Sequence, residues 1–153
     1  MMAIRRAQPG DAGPILDILR EVASEVPVFV EPEARWALLA DQVTKACAAG
    51  LSRVALDAAR SVIGFLLVEP DEHERFQLEN GALHLAYAGV TRASRGNGAL
   101  RALVTDVMDE GVPLSANVKT ANASEMLRRL QRLGFGILVE RSDEIELRWS
   151  REQ

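Results

Sequence analysis

The sequence runs to 153 residues, room for one domain with a sizeable buried core. Hydrophobic residues make up 48% and charged residues 26%, the balance of a water-soluble globule, and a net charge of −4 with dispersed Lys and Arg argues against a nucleic-acid surface. One cysteine and two histidines exclude an intrachain disulfide, a multi-cysteine zinc site and a histidine-rich metal centre, so no metal is expected.

The opening MMAIRRAQPGD lacks the apolar core of a signal peptide, and no apolar run approaches the roughly 20 residues of a membrane span. A lone cysteine suits a reducing compartment, so the expected location is the cytoplasm. Residues 4–7 read as a short strand that Gln8-Pro9-Gly10 breaks. Asp11 can cap a helix with Ile15, Ile18, Leu19 and Val22 on its inward face, and Pro14 is tolerated in the first turn. The prolines keep the apolar connector at 26–32 out of a helix. A second helix is expected over 33–49, with Trp36, Leu39, Ala40, Val43 and Cys47 on one face and Gly50 ending it. Cys47 lies among alanines there and reads as packing rather than as a nucleophile.

Residues 53–57 and 62–69 read as two strands. The second is nearly continuous in apolar residues, as a central strand buried on both faces should be. The charged loop at 70–75 is either simply solvated or placed over a cationic substrate. Leu83, Leu85 and Tyr87 alternate with His84, Ala86 and Ala88, which is strand spacing and puts His84 and Tyr87 on opposite faces. Leu100, Leu103, Val104, Val107 and Met108 then form the stripe of an amphipathic helix. Residues 112–118 alternate as a strand. Asn122 can cap a further helix with Glu125 three residues on, and Met126, Leu127, Leu130 and Leu133 face inward. The basic run from Arg128 to Arg132 reads as a solvated helix end. Residues 137–140 and 144–149 make a final hairpin. The expected fold class is α/β in a single domain over 1–153: a mixed central sheet of six to seven strands flanked by about four helices.

Between the strand at 83–90 and its following helix stands Arg95-Gly96-Asn97-Gly98. Two glycines one residue apart let the backbone turn tightly and leave the amides uncovered. The first helical N–H groups, around Gly98 to Arg101, carry the positive end of the helix dipole, and Arg95 adds a full charge. Such a site suits a phosphate, although a glycine pair ahead of a helix also serves as an ordinary turn. Two phosphate folds are excluded. There is no G-x-x-x-x-G-K-[ST]; a dinucleotide loop would need glycine where Arg101 stands and an acidic residue within 112–119, where none occurs.

These residues resemble the central motif of the GNAT superfamily of acyl-CoA-dependent N-acyltransferases, roughly V-x-P-x-x-R-G-x-G-[IA]-[GA]. Val90, Arg95, Gly96, Gly98 and Ala99 match it, with Arg92 in the proline position and Leu100 in the last small position. A second family landmark ends in G-F at Gly134-Phe135. Met126 and Arg132 fall into place, the Asn slot lands on Ala123 with Asn122 one residue earlier, and Leu130 fills the slot of a tyrosine that protonates the departing thiolate in many relatives. The order β-α-α-β-β-β-α-β-α-β-β is also that of the GNAT fold, so the resemblance spans nearly the whole chain.

The resemblance implies transfer of acetyl from acetyl-CoA to a primary amine, without a covalent enzyme intermediate or a metal. Arg95, Gly96, Asn97, Gly98, Ala99 and Leu100 would hold the pyrophosphate. The backbone of Ala88 to Val90, on a strand splayed from its neighbour, would meet the pantetheine and the thioester oxygen, and Asn122 would join the cofactor site. The connector at 26–32 would line the acceptor pocket. His84, six residues before Val90, occupies the position of a catalytic base in some relatives; a strand histidine bonded to a neighbour is the competing reading. Tyr87 is the second catalytic candidate, as acid or pocket wall. The expected partners are acetyl-CoA and a small-molecule or peptide amine, with neither nucleic acid nor membrane, and a homodimer is allowed. A CoA- or nucleotide-binding module without catalysis is the alternative, and an α/β domain unrelated to CoA is the third reading.

Overall fold

The computed structural model describes residues 2–22, 33–71, 81–120 and 123–151. Along them run β1 (Ala3–Arg6), α1 (Ala12–Glu21), α2 (Glu33–Ala49), β2 (Arg53–Leu56), β3 (Val62–Pro70), β4 (Leu83–Val90), α3 (Ala99–Met108), β5 (Leu114–Lys119), α4 (Ala123–Arg132), β6 (Gly136–Glu140) and β7 (Glu144–Trp149). The order is the one the hydrophobic periods predict. β5 starts at Leu114 rather than at 112 because Pro113 has no N–H for the ladder; its carbonyl instead accepts from Leu83 N–H at 3.0 Å. The connector at 26–32, residues 72–75 of the charged loop and Asn122 lie outside the described residues.

The strands form one sheet in the order β1-β2-β3-β4-β5-β7-β6, antiparallel throughout except where β4 meets β5. As its apolar run requires, β3 lies inside the sheet and buries both faces. Leu66 and Val68 join one core with Leu85, Leu103, Val107 and Leu114 under α3. Phe65 and Leu67 join the other, with Ile15, Leu19 and Val43 under α1 and α2. Cys47 belongs to that second core, and desolvation by burial pushes its thiol above the ordinary value. This is the packing role expected for it.

Three features differ from the sequence expectation. Asp11 stands at the N-cap of α1, yet its carboxylate makes no cap bond. It accepts from Gln8 N–H at 2.7 Å and from the Arg5 guanidinium at 2.7 and 3.0 Å, because an ion pair across the turn outcompetes a neutral cap amide. Arg53, in a segment read only as a strand, is fully buried and satisfied by Asp106 at 2.7 Å and Glu110 at 2.6 Å, which ties β2 to the end of α3. The third is a bulge in β4. Leu67 pairs with Tyr87 and Val68 with Leu85, leaving Ala86 as an extra residue.

That bulge corrects the placement of Tyr87. Leu83 and Leu85 face the α3 core and His84 the opposite side, but Ala86 and Tyr87 both pack against the α1–α2 core before Ala88 and Val90 return to the α3 side. Strict alternation would have set His84 and Tyr87 on opposite faces. The inserted residue resets the parity, and the two share a face.

Candidate functional site

The glycine loop has the geometry its sequence implies. Gly96 and Gly98 take φ of 87° and 78°, the left-handed region that side chains avoid, and no atom lies within 4 Å of where a Cβ would stand at either. The glycines therefore serve the backbone turn and leave the space above the amides open. The bond from Ala102 N–H to the Gly98 carbonyl at 2.9 Å opens the helical ladder, so the amides of Gly98 to Arg101 precede it at the positive end of a ten-residue helix. Two contacts set the approach to this loop. Thr91 N–H reaches the Ile63 carbonyl at 2.9 Å, and Arg92 N–H reaches the Glu21 carboxylate at the end of α1 at 2.6 Å.

In front of α3 lies a groove of about 310 Å³, the size of a small-ligand cleft. Val90, Arg95, Gly96, Gly98, Ala99 and Leu100 all line it, so the structure brings together most of the expected phosphate residues. Asn97 is exposed at the tip between the two glycines, and Ala88 shares the strand face of Val90. Sequence reasoning missed the opposite wall: Arg129 and Arg132 of α4 line the same groove, with Leu130 between them. What read as a solvated helix end is exposed but turned toward the phosphate loop. The signal was available, since Arg129 and Arg132 are three apart and share a helical face.

β4 and β5 part company beside this groove. Their parallel pairing covers Leu83↔Leu114, His84↔Ser115 and Leu85↔Ala116 and goes no further, although β4 continues to Val90 and β5 to Lys119. From Ala86 onward, among the described residues, β4 stays paired with β3 and is no longer paired with β5. The bulge sits where the separation begins.

On the α1–α2 face, one residue before the pairing with β5 ends, His84 is half-buried and its Nδ1 lies 2.8 Å from Ser115 Oγ. Ser115 in turn donates to Asp71 Oδ2 at 2.9 Å. Neither Ser115 nor Asp71 was singled out from the sequence, because only the parallel register of β5 and the end of β3 bring them to His84. Burial first, and then the charge of Glu69, push the Tyr87 hydroxyl above its ordinary value, so the phenol stays protonated. Glu69 is the cross-strand partner of His84. The described residues contain no cluster of three or more groups suited to a metal ion, and none of their helices is long and apolar enough to cross a membrane.

No model of a known protein family matches the sequence, and no curated protein matches it. Solved structures do match over nearly the full length. A GCN5-related N-acetyltransferase from Kribbella flavida is 22% identical, with 97% of each chain covered and a TM-score of 0.72. NAA60 from Arabidopsis thaliana, solved with a bisubstrate analogue, is 17% identical over 98% of each chain at a TM-score of 0.73. The polyamine N-acetyltransferase of Drosophila melanogaster, which catalyses formation of N-acetylagmatine, is 15% identical over 98% of this chain and 100% of its own, at 0.74. At these identities the likeness establishes the architecture: the seven-stranded mixed sheet and the helices described above have the fold of the GCN5-related N-acetyltransferases.

Proposed function

We propose that the protein is an N-acetyltransferase that transfers an acetyl group from acetyl-CoA to a primary amine by direct attack. The observation that carries this reading is a groove in which the phosphate-type loop at the head of α3 meets Val90, the end of the β4 stretch that has left β5. The first suits a pyrophosphate and the second suits an extended chain that hydrogen-bonds to backbone. Amides from Arg95 to Leu100, with the charges of Arg95, Arg129 and Arg132, would hold the phosphates, and Asn122 is kept as a cofactor contact. Each charge-assisted bond contributes about 1.5–3 kcal/mol, so several suffice for micromolar affinity. Ala88 and Val90 would present backbone to the pantetheine arm and an N–H to the thioester oxygen.

The acceptor amine would approach from the α1–α2 face, where His84 serves as base and the neutral Tyr87 as hydrogen-bond donor or wall. The lone pair of the amine forms the C–N bond, the C–S bond breaks toward sulfur, and the surplus ammonium proton passes to His84. Leu130, buried in the groove, offers no proton to the leaving sulfur. A thiol of pKa about 8.5 leaves tolerably as the thiolate, so transfer does not require one. The same leucine favours a second reading, a CoA-binding module without turnover. The solved neighbours that act on amines support the first reading by analogy of fold.

Thermal shift followed by thiol release separates the two. At one hundred times its dissociation constant acetyl-CoA should stabilise the fold by about 2.7 kcal/mol, with NAD and ATP doing far less. Thiol release with at least one member of an amine panel should follow. Stabilisation without turnover of any amine would favour the binding module, and equal shifts from NAD would remove the CoA assignment.

A further inference from the structure

The contacts around His84 bear on which of its nitrogens carries the proton in the neutral ring. Ser115 Oγ has one hydrogen to give and lone pairs to receive. Its neighbour Asp71 Oδ2, at 2.9 Å, is a carboxylate oxygen that can only accept, so the hydroxyl hydrogen goes there. The 2.8 Å contact between the same Oγ and His84 Nδ1 then needs a hydrogen from the ring. With Asp71 as the acceptor of the hydroxyl hydrogen, a neutral ring meets this contact with N–H at Nδ1 and the lone pair at Nε2. The arrangement is well shielded, since Ser115 is 3% and Asp71 9% exposed. It is also anchored: Asp71 N–H bonds the Ala82 carbonyl at 2.9 Å, and His84 and Ser115 are in parallel register one residue before β4 and β5 separate.

We propose that Asp71 and Ser115 are positioning residues, which lock His84 as the Nδ1–H tautomer and aim the lone pair of Nε2 at the incoming amine. The inference rests on the reading of His84 as the base. The hydroxyl hydrogen of Ser115 points away from the imidazole, so the serine is not a nucleophile that the histidine activates. When the amine adds to the thioester carbon and the C–S electron pair leaves with sulfur, the ammonium proton moves to Nε2. The resulting imidazolium keeps its Nδ1–H on Ser115, one hydroxyl away from the Asp71 side chain. The proton later leaves from Nε2 to solvent, and none travels along the relay. Sequence spacing hides this set, because the serine stands between the acid and the histidine and comes from a third strand.

Nitrogen-15 NMR of the labelled protein reads the tautomer directly. With two histidines in the chain, His84→Gln identifies the signals. In the neutral ring, Nδ1 should show the shift of a protonated nitrogen and Nε2 that of an unprotonated one. Ser115→Ala should release the ring to the Nε2–H form favoured in free histidine and lower kcat/KM for the amine about 10- to 100-fold, with acetyl-CoA affinity unchanged. Ser115→Thr, which keeps the hydroxyl, should restore both tautomer and rate. A wild-type His84 found as Nε2–H would overturn the proposal even if no variant folds, as would a Ser115→Ala enzyme with unaltered rate. Full activity in His84→Gln would overturn it too. Absence of acetyl transfer by the wild type would instead refute the acetyltransferase reading, with the tautomer still decided by the spectrum.

Discussion

Gly98 and Gly50 provide a matched pair for testing the phosphate loop. Both stand beside a helix end in the left-handed region, at φ of 78° and 77°, and neither has an atom within 4 Å of the position of an added Cβ. Replacing either with alanine therefore adds no clash, and the whole cost to the fold is the left-handed backbone, about 1–2 kcal/mol. For a chain of this size that lowers Tm by about 2–8 °C, and the two variants should lose a similar amount. Their ligand behaviour should differ. Gly50 ends α2 away from the groove, whereas a methyl at Gly98 occupies the open space over the first amides of α3. If a pyrophosphate sits there, Gly98→Ala forfeits at least one charge-assisted bond, about 1.5–3 kcal/mol, or roughly a 10- to 150-fold weaker acetyl-CoA affinity by calorimetry. Gly50→Ala should bind as the parent does. Equal affinity in the two variants would refute the placement of the phosphates, because the backbone strain is common to both.

Arg95→Ala should weaken acetyl-CoA binding about 10- to 100-fold with the fold intact; a collapsed circular-dichroism melt with constant affinity per folded molecule would contradict this. The Arg5 guanidinium, seconded by Gln8 N–H, holds the Asp11 carboxyl below its ordinary value of 3.8 against the opposing effect of burial. A depressed folded value stabilises above the unfolded one and is lost as pH falls through it, so Asp11→Asn should flatten the decline of Tm between about pH 5 and pH 2. Gly89→Ala would set a Cβ 2.8 Å from Cε1 of Phe65, a ring with no exposed surface to move into, and should cost about 1–3 kcal/mol in a denaturant titration. An unchanged midpoint there would mean that the ring repacks freely.

Most of the fold was legible because its elements are strongly periodic. The stripe of Leu100, Leu103, Val104 and Val107 proved to be buried, and the unbroken apolar run of β3 proved to be an interior strand. The loop was legible because glycine at a left-handed position leaves a chemical signature in the sequence. What escaped notice depends on contacts between distant segments. Arg53 reads as an unremarkable strand residue until Asp106 and Glu110 arrive from the end of α3 to neutralise it. Ser115 and Asp71 acquire meaning only through a strand register. The bulge at Ala86 has no residue signature at all, since alanine fits a regular strand as well as a bulged one, and a single missed residue moved Tyr87 to the wrong face.

That one residue also explains how a single strand can serve two sides of a reaction. A regular strand gives each face every second side chain, so positions three apart, such as His84 and Tyr87, diverge. With Ala86 inserted they converge on the α1–α2 side, while Ala88 and Val90 turn back toward the groove in front of α3. A bulge also sharpens the local twist, and the pairing with β5 stops at Leu85, immediately before it. On the acetyltransfer reading, the donor enters along the freed edge of β4 and the acceptor comes from the face that carries the base. The two would then meet on the stretch of β4 that follows the bulge. Were Ala86 held in a regular ladder, Tyr87 would fall on the side of Leu85, whereas deleting Ala86 would straighten the strand and leave Tyr87 beside His84 on the α1–α2 side.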